Sequence, residues 1–420
     1  MDKFLINGPC KIKGKVSISG SKNAALPILA STLLFDKSVT LHNLPCVQDV
    51  TTMLNLLKSL GSKIILSKDR KTAKIINKKK LKTFCSYSLV KTMRGSILVL
   101  GPLISKLNQA KISLPGGCAI GSRPINYHLA ALKKLGMTYT IKNGYILARS
   151  NRRLKGNIIK FPKVSVGATI NTILAASLGN GTTIIKGTAA REPEILDLTK
   201  FLNKAGANIK WSGRTCTIVG VDSLAPTTYT VMSDRIEAGT FSVAATLAKG
   251  NLEIKNFNPK VIKTELELLK RAGAKINQKN NKILIKGPEK IKPIKNVKTK
   301  EWPGVATDMQ SQLMVLMCRA NGKSTITENI FENRFLHVAE LQRLGANIQI
   351  KKNKAIIEGN TKFIGAELMS SDLRASVALV LAAMISEGKS IINRIYHLDR
   401  GYENLESKLR NIGVKIRRVK

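Results

Sequence analysis

Apolar and polar positions along the chain return to one pattern six times. The segments LLKSLGSKIIL, LKKLGMTYTI, LNKAGANIKW, LKRAGAKINQ, LQRLGANIQI and LRNIGVKIRRV each carry the end of an amphipathic helix into a glycine. A short alternating strand follows. The glycines are Gly61, Gly136, Gly206, Gly273, Gly345 and Gly413, separated by 75, 70, 67, 72 and 68 residues. Glycine in that position predicts a helix C-cap. A second strand often follows the first, as in NGYILA, TCTIVG, NKILIKG and NKAIIEG. Upstream of each glycine a different pattern recurs, as in ALPILASTLLFDKSVTL, INTILAASLGNGTTII and GTFSVAATLAKGNLEI. It reads as a helix apolar on all sides, a polar turn and a strand. The copy at SILVLGPLISKLNQAKISL fits more loosely.

The repeating unit is therefore helix, strand, helix, strand, strand, about 70 residues long, and the fold class is α/β. One such unit buries little surface alone, so the units must pack on one another. A chain of 420 residues exceeds one ordinary core, which predicts two domains of three units. A solenoid is the structural alternative, but solenoid repeats are usually shorter.

Composition narrows the function classes. Apolar residues make up 43% of the chain and aromatics only 5%, so aliphatic side chains must fill the core. No apolar run is long enough to span a bilayer, and the opening MDKFLINGPC lacks a secretory pattern. No membrane association and a cytoplasmic location are therefore expected. The six cysteines form no Cys-x-x-Cys pair, and with four histidines the chain shows no zinc-site spacing. A net charge of +44 attracts polyanions. The lysines are nevertheless scattered among asparagine and isoleucine, and no paired aromatic platform is visible in the sequence. This favours solvated surface charge plus a small anionic substrate over a specific nucleic-acid partner.

Candidate chemistry lies at turns beside the apolar helices. Lys22 and Asn23 open one helix, where backbone N–H groups and an ammonium can hold an anion, although Ser21 or Asn23 can equally serve as a cap. Arg94 precedes another. In SLPGGCAIGSRP, glycines flank Cys118, and Arg123 lies close enough in sequence to favour a thiolate. Asp308 precedes the fifth apolar helix as a cap or a general base. Asp372 with Arg374, His397 with Arg400, and Asp234 with Glu237 repeat the theme. Lys163, Ser165 and Gly167 occupy KVSVGAT, and Arg191, Glu192 and Glu194 occupy AAREPEI. Neither a GxxxxGK[ST] phosphate loop nor a GxGxxG dinucleotide fingerprint is present.

The ordered set SKNAALPIL, LVKTMR, SLPGGCAIGSRP, KVSVGAT, AAREPEI, SDRIEAGTF, TDMQ, FENRF, SDLRAS and RIYHLDRGYE spans the chain. It resembles the enolpyruvyl transferase family, on the branch that acts on UDP-N-acetylglucosamine. The resemblance implies a two-domain inside-out α/β barrel with three units per domain. Residues 1–21 and 233–420 would form one domain and residues 22–232 the other, with substrates in a closing cleft. It implies transfer of enolpyruvyl from phosphoenolpyruvate to the sugar 3-hydroxyl with release of phosphate, the committed step toward peptidoglycan. Cys118 would be the proton donor, open to covalent adducts and to fosfomycin, and Asp308 the base. Lys22, Arg123 and Arg400 would surround phosphoenolpyruvate, with Arg94 and Arg374 organising the charge. The UDP-sugar would meet Asn23, Arg94, Arg123, Pro124, Ile125, Asn126, Tyr127, Lys163, Val164, Ser165, Val166, Asp308 and Ile330. No metal or organic cofactor is implied, and a bacterial monomer is expected. One departure is PGVATD, where the family usually carries an aromatic and a proline ahead of Thr-Asp; a looser loop is the expected result. The rival readings are the relative acting on shikimate 3-phosphate, a basic nucleic-acid-binding protein, and a catalytically silent scaffold.

Overall fold

A computed structural model describes residues 2–91, 93–114 and 125–420. Six four-stranded sheets account for its strands, each built on the same plan. In the first repeat the helix Lys22–Ser31 leads to strand Val39–His42, helix Gln48–Ser59 and the hairpin Ser62–Leu66/Ala73–Asn77. Within the sheet, Ala73–Asn77 lies antiparallel between Val39–His42 and Ser62–Leu66. A fourth strand, Thr227–Thr230, runs parallel to Val39–His42.

That fourth strand is the element the sequence pattern does not reveal. Phe84–Cys85, Ile158–Ile159 and Val297–Lys298 play the same part in three other sheets. Two residues cannot show an alternation, so no period-2 signal marks them.

The six glycines do end helices. Their φ angles lie between +96° and +109°, a region that side chains with a Cβ avoid. At Gly206 the N–H bonds back to Asn203 O (3.0 Å) and the next strand begins at Asn208.

Helices Val166–Ala176, Arg235–Leu247, Gln310–Cys318 and Leu373–Ala383 are buried almost throughout, as helices apolar on every side must be. Several of their hydroxyls find partners within the helix. Thr172 donates to Ala168 O and Ser242 to Ala238 O, each at 2.8 Å, inside their own helix. The loosely matching copy is 3-10 helical over Arg94–Val99 before becoming α-helical over Leu100–Leu107. Pro102 near the start of that α-segment explains the broken pattern.

The chain divides into two compact units, and each has its own apolar core. Residues 2–19 and 233–420 make one unit. There Lys3–Gly8 pairs with Gly388–Asn393 and Ile416–Val419, while Lys13–Ser17 pairs with Asn251–Lys255. The described residues between 20 and 232 make the other, in which Thr227–Thr230 returns to the first sheet. Among the described residues no helix is long and apolar enough to cross a membrane.

Candidate functional site

In the unit between 20 and 232, Ser21 is the N-cap of helix Lys22–Ser31, accepting from the Ala24 N–H (3.3 Å). Lys22 and Asn23 are thus released from capping. The Lys22 ammonium donates to Asp49 Oδ2 at 3.1 Å, and the two side chains are only 13% and 5% exposed. Asp49 lies in the first turn of Gln48–Ser59, where a carboxylate complements the helix dipole. Sequence reasoning missed Asp49 because nothing local links it to a lysine 27 residues away.

A second cluster holds several residues assigned to the UDP-sugar by resemblance. Ile125 precedes helix Asn126–Lys134, and Tyr127 stacks on Phe161 with centroids 6.4 Å apart. The next residue, His128, is buried and its Nδ1 lies 2.8 Å from Asn171 Nδ2. Asn171 also donates to Ile97 O and accepts from the Gly101 N–H, each at 3.0 Å. Burial first, and the Arg94 charge second, push the His128 pKa down to about 4. Imidazole is therefore neutral here at pH 7. Gly167 is required above it, because a Cβ there would come within 2.8 Å of the ring. Ser165 caps Val166–Ala176 by accepting from the Ala168 N–H, leaving Lys163 and Val166 exposed and Val164 half-buried beside it. Arg94 opens its 3-10 segment half-buried.

In the other unit the centre is Asp308. Its Oδ1 accepts from Arg334 Nη2 (2.7 Å) and its Oδ2 from Arg374 Nη2 (2.8 Å). The arginine side chains are 4% and 6% exposed, the aspartate 26%, so the carboxylate is the part that meets solvent. Burial, the largest single influence, opposes the charge on Arg374, but Asp308, Tyr402 and Asp234 together outweigh it and raise its pKa above the usual arginine value. The Tyr402 hydroxyl lies 3.4 Å from Arg374 Nη1 and 2.9 Å from Thr240 Oγ1. Gln312 bridges Thr240 Oγ1 and Asp308 O. Asp308 is thus no helix cap; it is the focus of a buried polar network.

Glu328, also absent from the sequence reading, fixes the neighbouring backbone. Its Oε1 accepts from the N–H groups of Ile330 (2.8 Å) and Phe331 (3.2 Å), and its Oε2 accepts from Thr307 Oγ1 (3.0 Å). The approach to Asp308 is anchored as well. Trp302 Nε1 donates to Val261 O, Thr264 Oγ1 to Pro303 O, and the Ala306 N–H to Glu265 Oε1. A proline at 306 has no N–H to donate, so the departure in PGVATD gains a contact as it loses ring stiffness.

Other candidates take structural parts. Asp234 and Asp372 cap Arg235–Leu247 and Leu373–Ala383. Glu237 is buried against Lys408 Nζ (2.5 Å) and the Ser19 N–H (2.8 Å). Arg400 is half-buried at the end of Tyr396–Asp399 and helps depress the pKa of His397, after burial. Glu192 and Glu194 are buried at the start of Pro193–Lys204 beside Arg191. Cys118, Arg123 and Pro124 lie outside the described residues. Among the described residues no group of three or more His, Cys, Asp or Glu side chains could hold a metal ion.

Comparison with known proteins identifies the family. Residues 6–409 match the family model described as EPSP synthase (3-phosphoshikimate 1-carboxyvinyltransferase). A UDP-N-acetylglucosamine 1-carboxyvinyltransferase of Pelagibacter ubique (strain HTCC1062) is 57% identical over 420 residues, covering both chains entirely. One of Psychrobacter sp. (strain PRwf-1) is 47% identical, covering all of this chain and 97% of its own. The enolpyruvyl transferase NikO from Streptomyces tendae superposes with a TM-score of 0.89 at 23% identity, over 100% of this chain and 99% of that one, which shows the shared fold. By full-length sequence identity and by fold, the chain belongs to the enolpyruvyl transferase family, with curated relatives that carry the name UDP-N-acetylglucosamine 1-carboxyvinyltransferase.

Proposed function

We propose that this protein transfers the enolpyruvyl group of phosphoenolpyruvate to the 3-hydroxyl of UDP-N-acetylglucosamine, releasing phosphate by addition and elimination. The observation that carries the reading is the full-length 57% identity to a relative of that name, together with an Asp308 carboxylate clamped by two buried arginines. The chemistry needs a proton on the methylene carbon of phosphoenolpyruvate, which makes C2 electrophilic. It then needs a base for the attacking hydroxyl and fixed positive charge for phosphate and carboxylate. Cys118 is assigned the first role by resemblance and Asp308 the second. The two guanidiniums hold the Asp308 carboxylate in a fixed orientation for accepting the hydroxyl proton. The attacking hydroxyl becomes acidic as its bond to C2 forms, which suits a base held among cations.

Lys22, Arg123 and Arg400 are assigned to phosphoenolpyruvate. Asp49 keeps the Lys22 ammonium oriented at 3.1 Å. Asn23, Arg94, the segment 123–127, the segment 163–166 and Ile330 are assigned to the UDP-sugar. Two supports from the geometry are the His128–Asn171 linkage next to Tyr127 in the chain and the Glu328 contact that fixes the Ile330 N–H. A cytoplasmic monomer serving peptidoglycan synthesis, open to fosfomycin at Cys118, completes the proposal.

The test is phosphate release from phosphoenolpyruvate with each acceptor in turn. Release with UDP-N-acetylglucosamine and none with shikimate 3-phosphate is the expected result. The reverse specificity refutes the reading.

A further inference from the structure

One face of the second sheet carries a feature that no substrate role uses. Phe84 of strand Phe84–Cys85 stands opposite Lys111 of Gln109–Ser113, and Ser113 stands opposite Tyr145 of Tyr145–Arg149. Ala110 and Ile112, which flank Lys111, are buried, so Lys111 belongs to the face turned away from the core. The Lys111 ammonium lies 5.2 Å from the Phe84 ring centroid and 5.3 Å from that of Tyr145. The two rings are 5.8 Å apart. Tyr87 joins them through its N–H, which donates to Tyr145 Oη (3.4 Å), and carries Lys91 over its own ring at 5.5 Å. Phe84 is 47% exposed and Tyr87 55%. Two exposed rings from one short segment thus meet a half-buried third, 58 residues on from Tyr87, on a surface edged by lysines.

The electrostatic setting is one-sided. From Asp69 to Glu192 the sequence contains no intervening Asp or Glu, while lysine and arginine recur throughout. Every ionised group of this sheet, its hairpin and its helix is therefore positive. Only seven of the chain's 26 carboxylates lie between residues 20 and 232.

We propose that this face binds single-stranded nucleic acid without sequence preference. Exposed rings offer flat surfaces to unstacked bases, and the lysines track the phosphates between them. A duplex keeps its bases stacked on one another and has none to offer the rings. A lipid surface calls for apolar side chains that protrude well into the headgroup layer. Here the rings lie along a sheet that also carries Gln109 and Thr140, and Lys111 sits between two of them.

The experiment is fluorescence anisotropy on the full chain with a labelled oligodeoxythymidine of about twelve nucleotides, within the span such platforms cover. A duplex of equal length and sedimentation with phosphatidylserine vesicles run beside it. The single strand should bind more tightly than the duplex. A Phe84→Ala/Tyr87→Ala variant should bind it at least fivefold more weakly at fixed salt with an unchanged salt slope, the effect of one or two lost stacking surfaces. Lys142 stands opposite Tyr145 on the neighbouring strand Thr138–Lys142, and a Lys111→Gln/Lys142→Gln variant should lower the slope of log K against log salt by about 0.7 per lysine. Both variants should keep the melting temperature and phosphate release of the parent, since all four side chains lie outside the substrate groups. Unchanged affinity in the aromatic variant overturns the proposal. So does equal binding of the duplex, or capture by vesicles with no binding of the oligonucleotide.

Discussion

The two units are built from the same repeat but use ionic contacts in opposite senses. Between residues 20 and 232 a buried carboxylate, Asp49, steadies a lysine, Lys22. In the other unit two buried arginines, Arg334 and Arg374, steady a carboxylate, Asp308. In each case the supporting group is less exposed than the one it holds: 5% for Asp49 against 13% for Lys22, and 4% and 6% for the arginines against 26% for Asp308. The first unit presents a cation and the second a carboxylate. The common framework therefore fixes where a charge can stand, and its sign is decided by a few side chains at helix starts.

The largest expected effect comes from breaking the second arrangement. Asp308→Ala leaves two buried guanidiniums without their carboxylate, and losing one partner of a buried pair costs about 3–5 kcal/mol. Turnover should fall by roughly 10²–10⁴, the usual contribution of a general base. Thermal denaturation and phosphate release measure the two losses separately. A variant that is as stable as the parent and turns over normally would remove Asp308 from its place in the account.

Next in size is a pH effect shared by the two units. His128 in one and His337 in the other are both held down to about 4, chiefly by burial. The unfolded chain takes up a proton on each near pH 6.5, whereas the folded chain does so only near pH 4. Between those values the unfolded state binds more protons, so stability falls as pH falls through the window. Each histidine contributes a loss on the order of 3 kcal/mol once pH is below 4. Urea denaturation at pH 7 and at pH 4.5 measures the fall, and His128→Gln should make it smaller.

The smallest effect sharpens the contrast from the other side. Asp49→Asn keeps a hydrogen-bond acceptor for Lys22 but removes the charge. The KM for phosphoenolpyruvate should rise about tenfold, or ~1.4 kcal/mol, with kcat changing less, as expected when uniform binding is lost. A fall in kcat at constant KM would place Asp49 in the chemistry instead.

Much of this was legible in the sequence, for identifiable reasons. The six capping glycines lie where the chain needs positive φ, a need that Gly alone meets readily, so the repeat could be counted directly. Lys22, Asp308 and Arg374 stand at helix starts, where sequence position alone marks them. What escaped notice depends on contacts across the fold. Asp49 reaches Lys22 from another helix, Arg334 and Glu328 meet Asp308 and Thr307 through loops, and Tyr145 comes to Phe84 and Tyr87 only through strand pairing. The short parallel edge strands escaped because two residues carry no period.

The central claim is the transfer reaction with Cys118 as proton donor, and the direct measurement is phosphate release from both substrates at neutral pH by the parent and by Cys118→Ala. The parent should release phosphate and the variant should lose most of its turnover. Undiminished turnover in Cys118→Ala would contradict the claim.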